Sequence, residues 1–177
     1  MKSITRLITL VVPLMVAGGC GDVLAFDLNA EVDEFTVPGD ADLHHAGAPL
    51  AAGTVPSIDV QLGAVQPDSV SLSGLRFYAT DTALENDRDE DGLEFLTAID
   101  VFIVPANRDS RLPELKVATW SGPIEAGARE INLTIETETD LSPYISAGFT
   151  LDAVTRGVVP FDDVSIKGDA TFRVNPF

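Results

Sequence analysis

The sequence predicts an all-β domain, an antiparallel two-sheet sandwich of immunoglobulin-like architecture with about eight strands. Short segments alternate apolar and polar residues with a period of two, which is typical of half-buried strands. Glycine, proline and aspartate separate these segments at regular spacing, and no segment keeps a helical period for more than about one turn. These observations leave a closed β-barrel as the alternative.

The clearest strand begins at Phe26, where apolar residues alternate with polar ones as far as Val32. A one-residue shift at Asp33 predicts a β-bulge, and Pro38 ends the strand. Gly74 predicts a second bulge. Seven further strands are predicted, over Ser57–Val65, Val70–Ala79, Phe95–Val104, Leu115–Trp120, Glu130–Glu136, Ala147–Thr155 and Val164–Val174.

The strand Phe95–Val104 is apolar at nearly every position, as expected of a central strand covered on both faces. Asp100 interrupts it and needs a partner if it is buried. Between strands, residues 38–56 show no strand pattern and predict a long loop. Residues 140–144 predict one helical turn with Asp140 as its N-cap, although Pro143 suits the third position after the cap less well.

The first twenty residues have the pattern of an export signal. Lys2 and Arg6 are positive, Leu7–Ala17 is an apolar run, and two glycines and Cys20 follow. This run is too short to cross a bilayer, which takes about 20 residues, but it fits the apolar region of a secretory signal.

Residues 16–20, VAGGC, resemble the lipobox of bacterial lipoproteins, with Ala17 where leucine is commoner. The resemblance implies cleavage before Cys20, a covalent lipid on its sulfur and an acylated new amino terminus. Cys20 is the single cysteine, and an unmodified thiol is unexpected in an oxidising compartment. An ordinary cleaved signal with an incidental free cysteine is the other interpretation.

The domain organisation implied by this resemblance is a signal peptide over residues 1–19, a lipidated tether over 20–25 and one domain over 26–177. The predicted location is the cell envelope, with the protein anchored in a membrane by its lipid. Gly21 gives no strong retention signal by the sorting habits of the family, which favours the outer membrane.

The composition is strongly acidic, with 28 Asp and Glu against 11 Lys and Arg and a net charge of −17. Nucleic acid is therefore excluded as a partner, because its phosphates demand a basic surface. A solubilising surface and divalent-cation binding are the two interpretations of this charge.

Residues 87–92, DRDEDG, match the opening of calcium-binding loops, in which alternate carboxylates converge on the ion and a glycine permits a sharp turn. Asp87, Asp89 and Asp91 would supply carboxylates, the Leu93 carbonyl a further ligand, and Glu94 one that completes the shell. Glu85, Asp81 or Asp100 could take the place of Glu94. The usual acidic residue at position twelve is missing, and no flanking helix is predicted, so this is not an EF-hand. A solvated acidic hairpin loop is the other interpretation.

Two other residue groups have a chemical and a structural interpretation. His44 and His45, flanked by aspartates, could hold zinc or copper, but adjacent side chains diverge and a polar loop is favoured. Trp120, Tyr78 and Tyr144 could form a carbohydrate-stacking platform, but core packing is favoured.

No GxSxG, HExxH or P-loop motif occurs, so the sequence does not predict an enzyme. The sequence favours a lipid-anchored envelope module that binds a partner protein or glycan, with Ca²⁺ stabilising the 87–94 loop. A structural or accessory envelope lipoprotein with no dedicated ligand is the alternative.

Overall fold

Two antiparallel sheets pack face to face, which confirms the predicted sandwich and rules out the closed barrel. The structure is a computed structural model that describes residues 25–51, 58–60, 68–80, 92–107 and 110–175, with only the backbone of 58–60. The lipobox and Cys20 lie outside these residues, as do Asp87, Asp89 and Asp91.

The described residues form nine strands and two short helices. In chain order these are β1 (Phe26–Val37), α1 (Ala41–His45), β2 (Ile58–Val60), β3 (Ser69–Thr80), β4 (Leu96–Pro105), β5 (Leu115–Ser121), β6 (Glu130–Asn132), β7 (Thr134–Ile135), α2 (Ser142–Ala147), β8 (Phe149–Gly157) and β9 (Val164–Asn175).

One sheet has four strands in the order β1-β9-β3-β6, and the other has five in the order β2-β8-β4-β5-β7. All pairings are antiparallel. The predicted bulges are confirmed by register shifts between Val32 and Phe35 in β1 and between Leu72 and Gly74 in β3.

β4 is the central strand of its sheet, as predicted. Its inward side chains are buried, but Phe102 and Val104 on the outer face are only partly buried. The prediction that β4 is covered on both faces is therefore wrong, because only its inner face packs against the other sheet. Asp100 lies on this outer face with charged partners, as expected of a half-buried carboxylate.

The core lies between the sheets and is built from the inward side chains of both. Phe172 of β9 is fully buried and meets Phe149 of β8 edge to face, with ring centroids 6.4 Å apart. The largest fully buried side chains are Phe172, Leu93, Ile103, Leu141, Leu151, Val37, Val70, Val101, Val117 and Val174.

The single strand predicted over Glu130–Glu136 is wrong, because the chain there changes sheets. β6 pairs with β3 and β7 pairs with β5. Between them, the Leu133 amide donates to the Leu75 carbonyl of the four-stranded sheet. Alternation continues through the change because either sheet directs the same side chains into the shared core, so periodicity alone could not reveal it.

The loop predicted over residues 38–56 contains helix α1, which sequence reasoning missed. Asp40 is its N-cap, and its Oδ1 accepts hydrogen bonds from the amides of Asp42 and Leu43, both at 2.9 Å. The helix is five residues long and buries none of them. An amphipathic period cannot be read in so short a segment.

The predicted N-cap role of Asp140 in α2 is also wrong. The helix begins at Ser142 with Leu141 as its cap residue, which places Pro143 in the first turn, where no amide hydrogen bond is lost. Asp140 Oδ1 instead accepts hydrogen bonds from the Ser142 amide and hydroxyl and from the Val70 amide. It therefore ties the start of the helix to β3.

The strand directions define two ends of the sandwich. At the amino-terminal pole, the first residue of β1, Phe26, pairs with Val174 near the end of β9. At the distal pole, β1 ends, β8 ends at Gly157, and β9 begins at Val164. Thr80 and Gly92, which flank residues 81–91, both lie at the distal pole, because Thr80 pairs with Ser165 and Gly92 precedes β4.

Candidate functional site

Apolar and aromatic side chains are exposed at the distal pole. Leu43 of α1 is 47% exposed, and Phe161 of the β8–β9 connection is 50% exposed. The rings of His44 and His45 meet the Phe161 ring edge on, with centroids 5.9 and 5.7 Å away. These four residues are named the distal patch.

A network of backbone contacts holds the distal patch in place. The His44 Nδ1 atom donates to the Val159 carbonyl at 2.9 Å, and the Asp40 amide donates to the Pro160 carbonyl at 3.0 Å. A side chain is not tolerated at Gly39, because a Cβ there would lie 2.0 Å from the Asp162 carbonyl carbon. The exposed rings are therefore preorganised, which reduces the entropy lost on binding.

The surroundings of the distal patch are acidic. Residues 38–50 and 157–163 contain Asp40, Asp42, Asp162 and Asp163 and no lysine or arginine. The Asp163 carboxylate accepts the Gly39 amide at 2.8 Å. The distal patch is therefore an apolar and aromatic centre with a polar rim, an arrangement found at protein interfaces.

Only part of the predicted calcium loop lies in the described residues. The Leu93 side chain is fully buried, and its carbonyl accepts the Leu96 amide at 3.0 Å, which leaves one lone pair for another partner. The Glu94 carboxylate folds back onto Gly92, since a Cβ built there would lie 1.6 Å from Glu94 Oε2. The Glu94 carboxylate therefore lies against the backbone of Gly92, the first described residue after the acidic segment.

At the predicted histidine site, the His44 and His45 rings lie with their centroids 5.9 Å apart. Within the part of the chain that the structure describes, no three His, Cys, Asp or Glu side chains group closely enough to hold a metal. His44 also directs Nδ1 to a backbone carbonyl. The two imidazoles and Phe161 form an aromatic cluster.

The three aromatic residues considered for carbohydrate stacking do not share a face. Tyr78 lies on the four-stranded sheet with the Arg76 guanidinium 5.5 Å from its ring centroid, and Trp120 lies in the other sheet. Tyr144 is buried on α2, where its hydroxyl donates to the Pro113 carbonyl at 2.9 Å. Their arrangement gives no common stacking surface.

A charge network on the outer face of the five-stranded sheet surrounds Asp100, whose side chain is 14% exposed. Lys116 Nζ lies 2.7 Å from its Oδ1, Arg156 Nη2 lies 2.9 Å from its Oδ2, and the Thr119 hydroxyl donates to Oδ1 at 2.7 Å. Hydrogen bonds from Lys116 and then Thr119 lower the pKa of Asp100, against the opposing effect of desolvation. The same contact raises the pKa of Lys116.

A polar groove lies at the amino-terminal pole between the start of β3 and residues 135–140. Its walls include Ser71, Glu136 and Asp140. Desolvation alone raises the pKa of Asp140, but hydrogen bonds from Ser142 and Val70 outweigh it and leave that pKa lowered. These bonds have a structural role, because they close the end of the sandwich.

One buried polar atom within the described part of the core has no hydrogen-bond partner, the hydroxyl oxygen of Thr155. It borders a small cavity between the sheets that is otherwise lined by apolar side chains, among them Phe77 and Phe95.

No helix in the described ranges is long and apolar enough to span a bilayer. Comparison with protein-family models gave no match, and comparison with curated proteins gave none either.

Proposed function

We propose that this chain is a lipid-anchored module of the cell envelope that binds a partner protein through its distal pole. The lipobox-like residues 16–20 support the anchor. The sequence has no GxSxG, HExxH or P-loop motif, which favours a binding role over catalysis. The observation that carries the proposal is the distal patch, in which exposed Leu43 and Phe161 sit on a hydrogen-bonded platform.

The orientation of the domain supports this use of the distal pole. The ladder of β1 begins at Phe26, six residues after Cys20, so the amino-terminal pole adjoins the anchor. Five extended residues span at most about 18 Å. The opposite pole, with the patch, then faces away from the membrane and is open to a partner.

Photo-crosslinking in the native host tests the proposal. A photoreactive phenylalanine analogue replaces Phe161, and the control replaces Val154, which is 47% exposed on the outer face of β8. We expect one reproducible protein adduct from position 161 and none from position 154. An adduct digested by glycosidases would instead identify a glycan partner, and equal or absent labelling at both positions would refute the use of the patch.

The anchor is tested separately by mass spectrometry of the native amino-terminal peptide. We expect a peptide that begins at Cys20 and carries diacylglycerol on its sulfur. Release of a Cys20→Ser variant from the membrane fraction would agree with this. An unmodified cysteine in the mature chain would refute the anchor without bearing on the patch.

Calcium is proposed to stiffen the loop of residues 87–94. Calorimetric titration of the purified protein with Ca²⁺ should give heat that an Asp89→Ala/Asp91→Ala variant lacks. An Asp152→Ala/Glu138→Ala variant removes the same charge elsewhere and should titrate like the wild type. No heat in the wild type would refute calcium binding.

A structural role without a dedicated ligand is the second candidate, favoured by the short tether over Gly21–Ala25. A protein that acts by its position near the bilayer should lose function when a flexible insert lengthens this tether. A module that binds through the distal patch should tolerate the insert and lose function with Phe161→Ala.

A further inference from the structure

Strand β1 is an edge strand of the four-stranded sheet. It is twelve residues long and pairs with β9 except at the bulge residues Asp33 and Glu34, and no other described strand pairs with it. β2, the edge strand of the facing sheet, lies near β1 but is only three residues long. A long strand with a free edge can accept an added strand through its main-chain groups.

The hydrogen bonds of the sheet identify which β1 groups point outward. Val70 and Ala79 of β3 bond away from β9, since the Val70 carbonyl accepts the Leu141 amide and the Ala79 amide donates to the Arg129 carbonyl. Val70 pairs with Val174 of β9, so Val174 and every second residue of β9 turn their main-chain groups toward β1. Leu28 and Ala30 stand opposite two of these residues and therefore exchange hydrogen bonds with β9.

Before the bulge, the alternate residues of β1 present their main-chain groups to the free edge. These are Asp27, Asn29 and Glu31, and their side chains lie on the outer face of the sheet. The apolar side chains of the same strand lie on the inner face, where Phe26 is 36% exposed and Leu28 is only partly buried. An added strand would cover these apolar side chains.

The charged side chains of β1 determine which charges an added strand can carry. Asp27 pairs with Arg173 at 3.1 Å. Glu31 has no ion pair among the described residues and stands opposite Asp169, whose carboxylate is already paired with Arg76 at 2.7 Å. Pairing with a second copy of β1 would place further carboxylates along this row, and like charges opposite each other destabilise a sheet. Lysine or arginine opposite Glu31 would instead supply the ion pair that Glu31 lacks among the described residues.

We propose that the free edge of β1 binds an extended segment of a partner protein in which apolar residues alternate with lysine or arginine. The segment lies antiparallel to β1, with its basic side chains on the outer face beside Glu31 and its apolar side chains over Leu28 and Ala30. Because Glu31 turns its main-chain groups to the free edge, a residue directly opposite it forms a hydrogen-bonded pair with it and shares its face of the sheet. The basic residues of the segment therefore also direct their amides to β1. This surface is separate from the distal patch and does not depend on the lipid.

Synthetic peptides test this geometry with the purified full-length protein. The probe is a blocked peptide of about nine alternating lysine and valine residues. A second version is N-methylated on the backbone at the lysines, which blocks the amides facing β1. A third is N-methylated at the valines, whose amides face away. A fourth replaces lysine with glutamate.

We expect the unmodified and valine-methylated peptides to bind with similar affinity, and the lysine-methylated and glutamate peptides to bind at least about tenfold more weakly. In hydrogen-exchange NMR, the probe should protect the amides of Asp27, Asn29 and Glu31. The amides of Leu28 and Ala30, already bonded to β9, should change little. Glu31→Lys should weaken binding, whereas Glu114→Lys, an equal charge change in the connection that precedes β5 of the facing sheet, should not.

Equal binding of the two methylated peptides would overturn the inference, because it would show charge attraction to an acidic protein without strand addition. So would the absence of binding, or protection confined to residues outside β1. None of these results would bear on crosslinking from position 161.

Discussion

Replacing Asp100 with asparagine removes the carboxylate at the centre of the charge network and keeps nearly the same side-chain shape. Asparagine can still accept the Thr119 hydroxyl, so the change acts mainly on the ion pairs with Lys116 and Arg156, at 2.7 and 2.9 Å. Both cations are partly exposed, and a part-exposed ion pair contributes about 0.2–1 kcal/mol. We therefore expect Asp100→Asn to lower the free energy of unfolding by about 1 kcal/mol at pH 7.

The pH dependence of this difference follows from the lowered pKa of Asp100. A carboxylate with a lowered native pKa stabilises the fold above its unfolded pKa of about 4, and this contribution is lost as the pH falls through the native pKa. The gap between wild type and Asp100→Asn should thus be full at pH 7 and should close below about pH 4.

Urea denaturation followed by Trp120 fluorescence measures this gap, because Trp120 is the single tryptophan and lies on β5, next to β4. Acidification also relieves repulsion in a chain of net charge −17. Asp152→Asn controls for this, since it removes a carboxylate of β8 that has no ion pair among the described residues. Equal stability of the two variants at pH 7, or an Asp100→Asn gap that widens in acid, would refute the reasoning.

Two further substitutions test the core and a close backbone contact. Thr155→Val should raise the free energy of unfolding by about 1 kcal/mol, because it removes a buried hydroxyl without a partner. The control Thr119→Val removes a hydrogen-bonded hydroxyl and should lower the free energy of unfolding. Lower stability of both variants would contradict the assignment of Thr155. Gly157→Ala should destabilise the protein by more than about 2 kcal/mol, because its Cβ would lie 2.1 Å from the Phe95 carbonyl oxygen. Gly74→Ala, with its nearest atom at 3.6 Å, should change the midpoint of thermal unfolding little, and similar losses at both glycines would refute the steric argument.

The fold class could be predicted because it depends on a strong local signal. Alternation in the segment from Phe26 and the shift at Asp33 identified β1 and its bulge, and Gly74 identified the bulge of β3. Asp100 was expected to need a partner because a half-buried charge must be compensated. The identity of that partner, Lys116, depends on the register of β4 and β5, which the sequence alone does not determine.

The distal patch could not be predicted for a related reason. His44 and His45 were predicted as possible metal ligands, but Phe161 is more than a hundred residues away in sequence. The pairing of β1 with β9 brings Phe161 beside them. Asp40 could have indicated α1, since aspartate is a preferred N-cap. The helix α1 could not be predicted from periodicity, because a five-residue helix is too short to show an apolar period.

The change of sheets at Leu133 has a consequence for how the domain opens. Within a few residues, the chain bonds to Leu75 in one layer and, through the Glu136 amide, to Val117 in the other. The two sheets therefore cannot separate on the side of β6 and β7 without straining residues 133–136, which are hydrogen-bonded to both sheets. Thermal fluctuations that expose the interior are therefore expected to begin on the opposite flank, where β1 and the short β2 lie along the edges and no such crossing occurs among the described residues.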